Sequence, residues 1–159
     1  MNTEQNMSCV EVGEPQQWMN YLFAHPLLPR PAKGKHFLKE ALGLSGMEIS
    51  INSLPAGIAI PFTHTHRLNE EVYFFLSGAG EFYVDDHSVP VGPGSVIRVA
   101  PEGQRCWRNT GDQPLNYLVI QARHGSMASS AIEDGLATPG NPWQGRLRSG
   151  YPHVGCRRV

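Results

Sequence analysis

The chain has 159 residues, enough for one domain with a real core, and 40% of them are hydrophobic. Thirteen basic and fourteen acidic side chains give a net charge of -1, with no block of Lys or Arg, so no nucleic-acid partner is expected. No apolar stretch reaches the roughly 20 residues that a membrane helix needs, and no signal peptide is visible.

The 17 glycines and 13 prolines imply many turns and short strands. The three cysteines, Cys9, Cys106 and Cys156, are odd in number and widely scattered. They predict no disulfide framework and a reducing, cytoplasmic setting.

Residues 1–34 read as an N-terminal arm with a short helix. Over residues 14–23, Pro15 suits a first helical turn, and Trp18, Tyr21 and Leu22 share one face. Such a helix can pack on the outside of the domain or across a dimer partner. Pro26, Pro29 and Pro31 then impose an extended linker. Residues 35–125 form the expected β-domain. Residues 37–42 predict a helical turn ended at Gly43. Eight short strands follow, over 47–52, 58–65, 72–76, 81–84, 87–91, 95–99, 105–109 and 115–122. Pro61 puts the second at an edge or bend, and the continuous aromatic third reads as buried on both faces. Asp85-Asp86 reads as a hairpin turn. The pattern predicts an all-β fold, an antiparallel double-sheet jelly roll or small barrel. Residues 126–159 read as a C-terminal extension, partly disordered, with residues 144–159 a tail lacking a core of their own.

The chemistry-bearing residues lie on the second and third strands. His64 and His66 are two apart, so both point to one face. Glu71 opens the next strand, and adjacent strands lie about 5 Å apart. Two imidazoles and a carboxylate at that spacing predict a divalent metal site with open positions, suited to Fe, Zn, Ni or Mn. Glu70 faces the other way by strand parity. His36, His87, His124 and His153 lie outside this group and read as surface histidines.

Gly57, His64-Thr65-His66, Glu71 and Gly78 together resemble the first motif of the cupin family: a glycine, His-x-His, three or four residues, Glu, six residues and Gly. Six residues separate Gly57 from His64 where the family pattern has five. Residues 101–109 resemble the second motif, Pro-x-Gly-x-x-His-x-x-x-Asn, with Cys106 at the place of the histidine that serves as the family's fourth ligand. The resemblance covers about residues 46–122 and implies a small single-domain cupin of the RmlC-like jelly-roll superfamily. Cys106 is then a thiolate ligand beside His64, His66 and Glu71, a small buried apolar residue, or a redox-sensitive thiol inside the cavity.

Parity extends the site. Ile60 and Phe62 face inward with the histidines, Tyr73 and Phe75 with Glu71, and Gln104 and Arg108 with Cys106, while Trp107 faces outward. Tyr73 and Arg108 are the candidate catalytic groups, with Glu48 or a substrate carboxylate or phosphate as the partner of Arg108; Arg98 and Gln121 are further lining candidates. Arg98 and Arg108 read equally as surface ion pairs. Two functions fit: a metalloenzyme of dioxygenase or isomerase type acting on a small organic substrate, or a non-enzymatic binding module. Exposed sheet edges predict a homodimer.

Overall fold

The computed structural model of the chain describes residues 6–129, 131–141 and 155–159. In chain order it contains β1 (Val10–Glu11), a 3-10 helix (Pro15–Asn20), β2 (Leu22–Phe23), β3 (Ala32–Lys33), β4 (Lys35–Phe37) and α1 (Lys39–Leu42). Then come β5 (Glu48–Leu54), β6 (Asn69–Ser77), β7 (Gly80–Val84), β8 (His87–Val91), β9 (Val96–Val99), β10 (Arg105–Asn109), β11 (Leu115–Arg123), α2 (Ala131–Asp134) and β12 (Arg157–Arg158).

Two antiparallel sheets face each other, one five-stranded in the order β4-β5-β11-β6-β9 and one three-stranded in the order β10-β7-β8. This is the expected all-β jelly roll. The predicted strand over 58–65 is a broken one. Ala59 and His64 bridge to Arg108 and Arg105, so the segment lines the edge of β10. Pro61, which lacks a donor, lies between those bridges at the edge, as expected. The Asp85-Asp86 turn joins β7 to β8 with both residues left-handed, φ 45° and 67°, the two-residue geometry that matches strand twist.

The core between the sheets comprises Leu54, Tyr73, Phe75, Phe82, Val91, Val99, Trp107, Leu115, Tyr117 and Val119. Burying one such large side chain stabilises by about 1.5–3 kcal/mol. Alternation along β6 is clean: Glu71, Tyr73 and Phe75 point in, whereas Phe74 is 40% exposed. The third strand is therefore buried on one face there, not on both.

A second cluster covers the outer face of the five-stranded sheet. Trp18, Leu38 and Ile51 centre it, with Val10, Val12, Tyr21, Leu42, Ile49, Leu76 and Leu118 packed around them. The predicted helix over 14–23 is shorter than expected. It covers Pro15–Asn20 with 3-10 geometry, then the chain turns extended, so Trp18 and Tyr21 pack while Leu22 is exposed. It lies on its own sheet.

The expectation about disulfides is overturned. Cys9 and Cys156 are bonded, 147 residues apart, and beside them β1 pairs in parallel with β12. Only Cys106 is a free thiol. Scattered cysteines can meet because chain termini come together in a folded domain. The argument for a reducing compartment falls with it. Of the expected tail over residues 144–159, residues 144–154 lie outside the described residues, and Arg157–Arg158 forms a short strand. No helix among the described residues is long and apolar enough to cross a membrane.

Candidate metal centre

Backbone pairing fixes the two histidines. His64 N donates to Arg105 O at 3.2 Å and Arg105 N donates back to His64 O at 3.1 Å, while His66 N donates to Pro101 O at 2.8 Å. Glu71 stands on β6 between Gln121 and Val99 of its neighbours. The three side chains meet at the barrel: one ligand atom from each of His64, His66 and Glu71 lies within 4.8 Å of the other two. His64 Nε2 is 3.9 Å and His66 Nε2 3.3 Å from the Glu71 carboxylate.

Glu71 is 4% exposed. Burial opposes its charge, but hydrogen bonds from His66 and Tyr73 and the charges of His66 and Arg105 prevail, holding its carboxyl at about 2. Tyr73 donates to Oε2 at 2.5 Å, and burial followed by the Glu71 charge pushes its phenol well above the usual range. Burial lowers His64 to about 4, despite the opposing pull of Glu71. His64 is therefore neutral near pH 7, and its buried Nδ1 has no protein partner.

These observations fit a divalent cation. Three donors converge, one ionised and one a neutral imidazole with an uncommitted lone pair. Oε2 is engaged by Tyr73 and Arg105, which leaves Oε1, the atom facing His66, as the freer carboxylate donor.

The structure corrects the fourth position. Arg105, Trp107 and Asn109 are buried, whereas Arg108 is exposed. Cys106 Sγ points away from the triad and contacts Ile60 O at 3.2 Å, and the metal-ligand group among the described residues does not include it. Burial raises its thiol pKa. Arg105 stands there instead, fully buried, with Nε 3.2 Å from Glu71 Oε2 in an ion pair that lacks hydrogen-bond alignment. Its remaining nitrogens donate to the carbonyls of Gly103 at 2.8 Å, Pro101 at 3.2 Å, and Ala100 and His64 at 3.4 Å. The signal was present in the sequence. Counting back four residues from Asn109, the histidine's place in the second motif falls on Arg105, with one residue missing after Gly103.

Arg108 is likewise corrected as a candidate catalytic group. Its guanidinium pairs with Glu81 on the outer face, Nε to Oε2 at 2.8 Å. Glu48, its suggested partner, instead accepts from the backbone of Lys39 at the start of α1. Arg98 pairs with Glu70 outside, as parity predicted for Glu70. Gln104 is exposed, and Gln121 accepts from Asn69. Trp107 lies inside, donating to Tyr117 Oη at 2.8 Å and meeting His64 edge-on. Tyr73 is brought to the site but beneath it, 1% exposed among Phe82 and Trp107. It orients Glu71 and has no open path to a substrate. Ile60 and Phe62 line the same side as the histidines, Phe62 touching the His64 ring. His36 is half-buried against Tyr21, unlike an ordinary surface histidine; His87 is exposed, His124 contacts Glu70, and His153 lies outside the described residues.

Two residues at the mouth carry no local signal. His25, from the proline-rich linker, stacks on Phe62 with ring centres 5.2 Å apart. Lys35, on edge strand β4, sends its ammonium to the inner face near Asn52.

The cupin domain family matches residues 52–121. A solved cupin protein from Bacteroides fragilis is 34% identical with a TM-score of 0.64, over 74% of this chain and 98% of that one. A structure described as a putative sugar phosphate isomerase from Acidithiobacillus ferrooxidans is 27% identical with a TM-score of 0.56, over 64% of this chain and 66% of that one. The dimethylsulfoniopropionate lyase DddQ of Ruegeria pomeroyi is 38% identical over 68 residues, 42% of this chain, and the match spans only 32% of that curated relative. A jelly roll that carries a His-x-His and a glutamate on facing strands, and that matches a whole small cupin from end to end, places this chain in the cupin family.

Proposed function

We propose that the protein is a metal-dependent enzyme acting on a small organic molecule, with His64, His66 and Glu71 as the metal ligands. The observation that carries this reading is the convergence of those three donors at one spot where both imidazoles stay partly exposed, with His64 neutral and Glu71 ionised. A divalent metal held there supplies Lewis-acid polarisation of a substrate oxygen. The chain's own residues do the rest. Tyr73 and Arg105 fix the Glu71 carboxylate from below, and Phe62 walls the imidazoles from one side. The side chains of His64 and His66 are 29% and 23% exposed, so substrate enters over them. Likeness to a putative sugar phosphate isomerase favours the isomerase version over the dioxygenase version. Fe, Zn, Ni and Mn all suit the donor set.

The second reading, a binding module without turnover, has one observation behind it. Arg105 already balances the charge of Glu71 within the protein. Elemental analysis of protein purified without added metal tests the metal centre, and turnover separates the two readings. Near-stoichiometric metal in wild type and in Cys106→Ser, with loss in His66→Ala, is the expected result. Equal metal in wild type and His66→Ala defeats the metal centre. Turnover of lyase or isomerase substrates that disappears on chelation and returns with metal establishes the enzyme. A homodimer is the expected assembly, because β4 and β9 end the five-stranded sheet as open edges; a monomeric mass by light scattering at micromolar concentration contradicts it.

A further inference from the structure

We propose that Lys35, Asn52 and Ser50 form a subsite for the carboxylate group of a small organic ligand, set inside the barrel beside His64, His66 and Glu71. The subsite rests on the barrel holding a small ligand, and it deepens that reading by naming the ligand's class.

The lysine is placed by sheet register. Lys35 pairs with Asn52 across β4 and β5, so its side chain shares the inner face with Asn52 and Ser50, each only 2% exposed. The ammonium lies 3.1 Å from Asn52 Oδ1 and 3.4 Å from Ser50 Oγ. Asn52 is locked, since its amide nitrogen donates to Ser50 O and Oγ at 3.0 Å and to Tyr117 O at 3.4 Å. The Phe37 and Phe23 rings lie 4.8 and 5.6 Å from the ammonium.

All these partners are uncharged. Among the described residues no carboxylate comes within ion-pair distance of Lys35; Glu71 and Glu48 act on it only at longer range. Glu71 is already matched by Arg105, His66 and Tyr73, and Glu48 is bound to backbone amides. An ammonium withdrawn from water needs a counter-ion. Its absence shows in the lysine itself, which burial lowers to about 8. An ammonium has three donors. Asn52 and Ser50 take two, and the third is free for a ligand.

The chemistry favours a carboxylate. One ammonium offers a single positive charge and no planar fork. Arg105 has a fork, but it is fully buried and turned onto backbone carbonyls. A single negative charge is matched here, whereas a phosphate dianion is not. The ring series Phe23, His25, Phe62 and His64, with centres 5.9, 5.2 and 6.2 Å apart in turn, runs from beside Lys35 to the metal ligands. It provides an aromatic wall for a short ligand body, with the carboxylate on Lys35 and the other end at the histidines.

Propionate, propionamide and inorganic phosphate, titrated into the full chain and followed by NMR, test the subsite. Propionate should bind wild type, move the Lys35 Cε resonance along the same saturation curve, and bind at least tenfold more weakly to Lys35→Met. Lys35→Arg should recover part of the affinity, and propionamide should fail to compete. Lys35→Met should keep the metal content of wild type, and Arg98→Ala, on the outer face, should keep propionate affinity, so a failed metal centre does not imitate a failed subsite. Equal propionate affinity in wild type and Lys35→Met overturns the proposal. So does an unmoved Lys35 resonance in wild type, or tighter binding of phosphate than of propionate.

Discussion

Glu71 is the residue on which the site balances. Its carboxylate stays ionised inside the barrel because Arg105, His66 and Tyr73 surround it. Removing one partner of a buried ion pair typically costs about 3–5 kcal/mol, and Arg105 also ties down carbonyls of four residues. Arg105→Met should therefore lower the unfolding free energy read from urea titration by about 3–5 kcal/mol, and Arg105→Lys should recover little, because a lysine cannot reproduce the planar fork. A pH dependence follows from the same cluster. His64 is lowered from 6.5 to about 4 by burial. The unfolded chain takes up that proton first, so the metal-free protein loses stability as pH falls from 6.5 toward 4. Glu71 is lowered from 4.5 to about 2, so its contribution is complete above 4.5 and is lost as pH falls toward 2. Urea midpoints at pH 7, 5 and 3 should fall in that order, and His64→Phe should remove most of the first drop.

At the scale of elements, the turn that follows β6 depends on close backbone approach. Gly78 ends β6 with φ 89°, and a Cβ there would meet Pro114 O at 2.6 Å. The last glycine of the first motif thus has a physical reason. Gly78→Ala should cost more than about 1 kcal/mol, read as a lower midpoint of chemical unfolding. Strand β10 shows how parity fails when one residue is lost. The alternation predicted from Cys106 was internally consistent, but the missing residue after Gly103 flips every side chain to the other face. Arg105, Trp107 and Asn109 go in, and Cys106 and Arg108 go out. The His64, His66 and Glu71 strands had no such slip, and parity was right there.

Across the whole molecule, the arm and the C-terminus close on the outer face of the large sheet. Tyr21 Oη donates to Val159 O at 3.1 Å and Arg157 donates to Ala41 O at 2.9 Å. The Cys9–Cys156 bond encloses a loop of 147 residues, and cross-links over long loops restrict the unfolded chain most. Cys156→Ser should cost about 2–5 kcal/mol by that account. A lower thermal midpoint in the variant, matched by wild type under reductant, is the measurement. The His64, His66 and Glu71 group lies elsewhere in the fold and should keep its metal content in that variant.

The sequence by itself determined the strands from residue 47 to residue 122, apart from the broken one over 58–65, the turns between them and the grouping of His64, His66 and Glu71. Each rests on local spacing: period two along a strand, glycine and proline at turns, and His-x-His with Glu at one register. Only the tertiary structure decided the rest. Which cation stands beside Glu71, which lysine reaches the inner face, and which cysteines bond are all questions of residues far apart in the chain. Arg105 meets Glu71 across the two sheets, Lys35 reaches the inner face from the edge strand, and Cys9 meets Cys156 where the two ends of the chain come together. Periodicity reports which face a side chain takes; only packing reports what waits on that face.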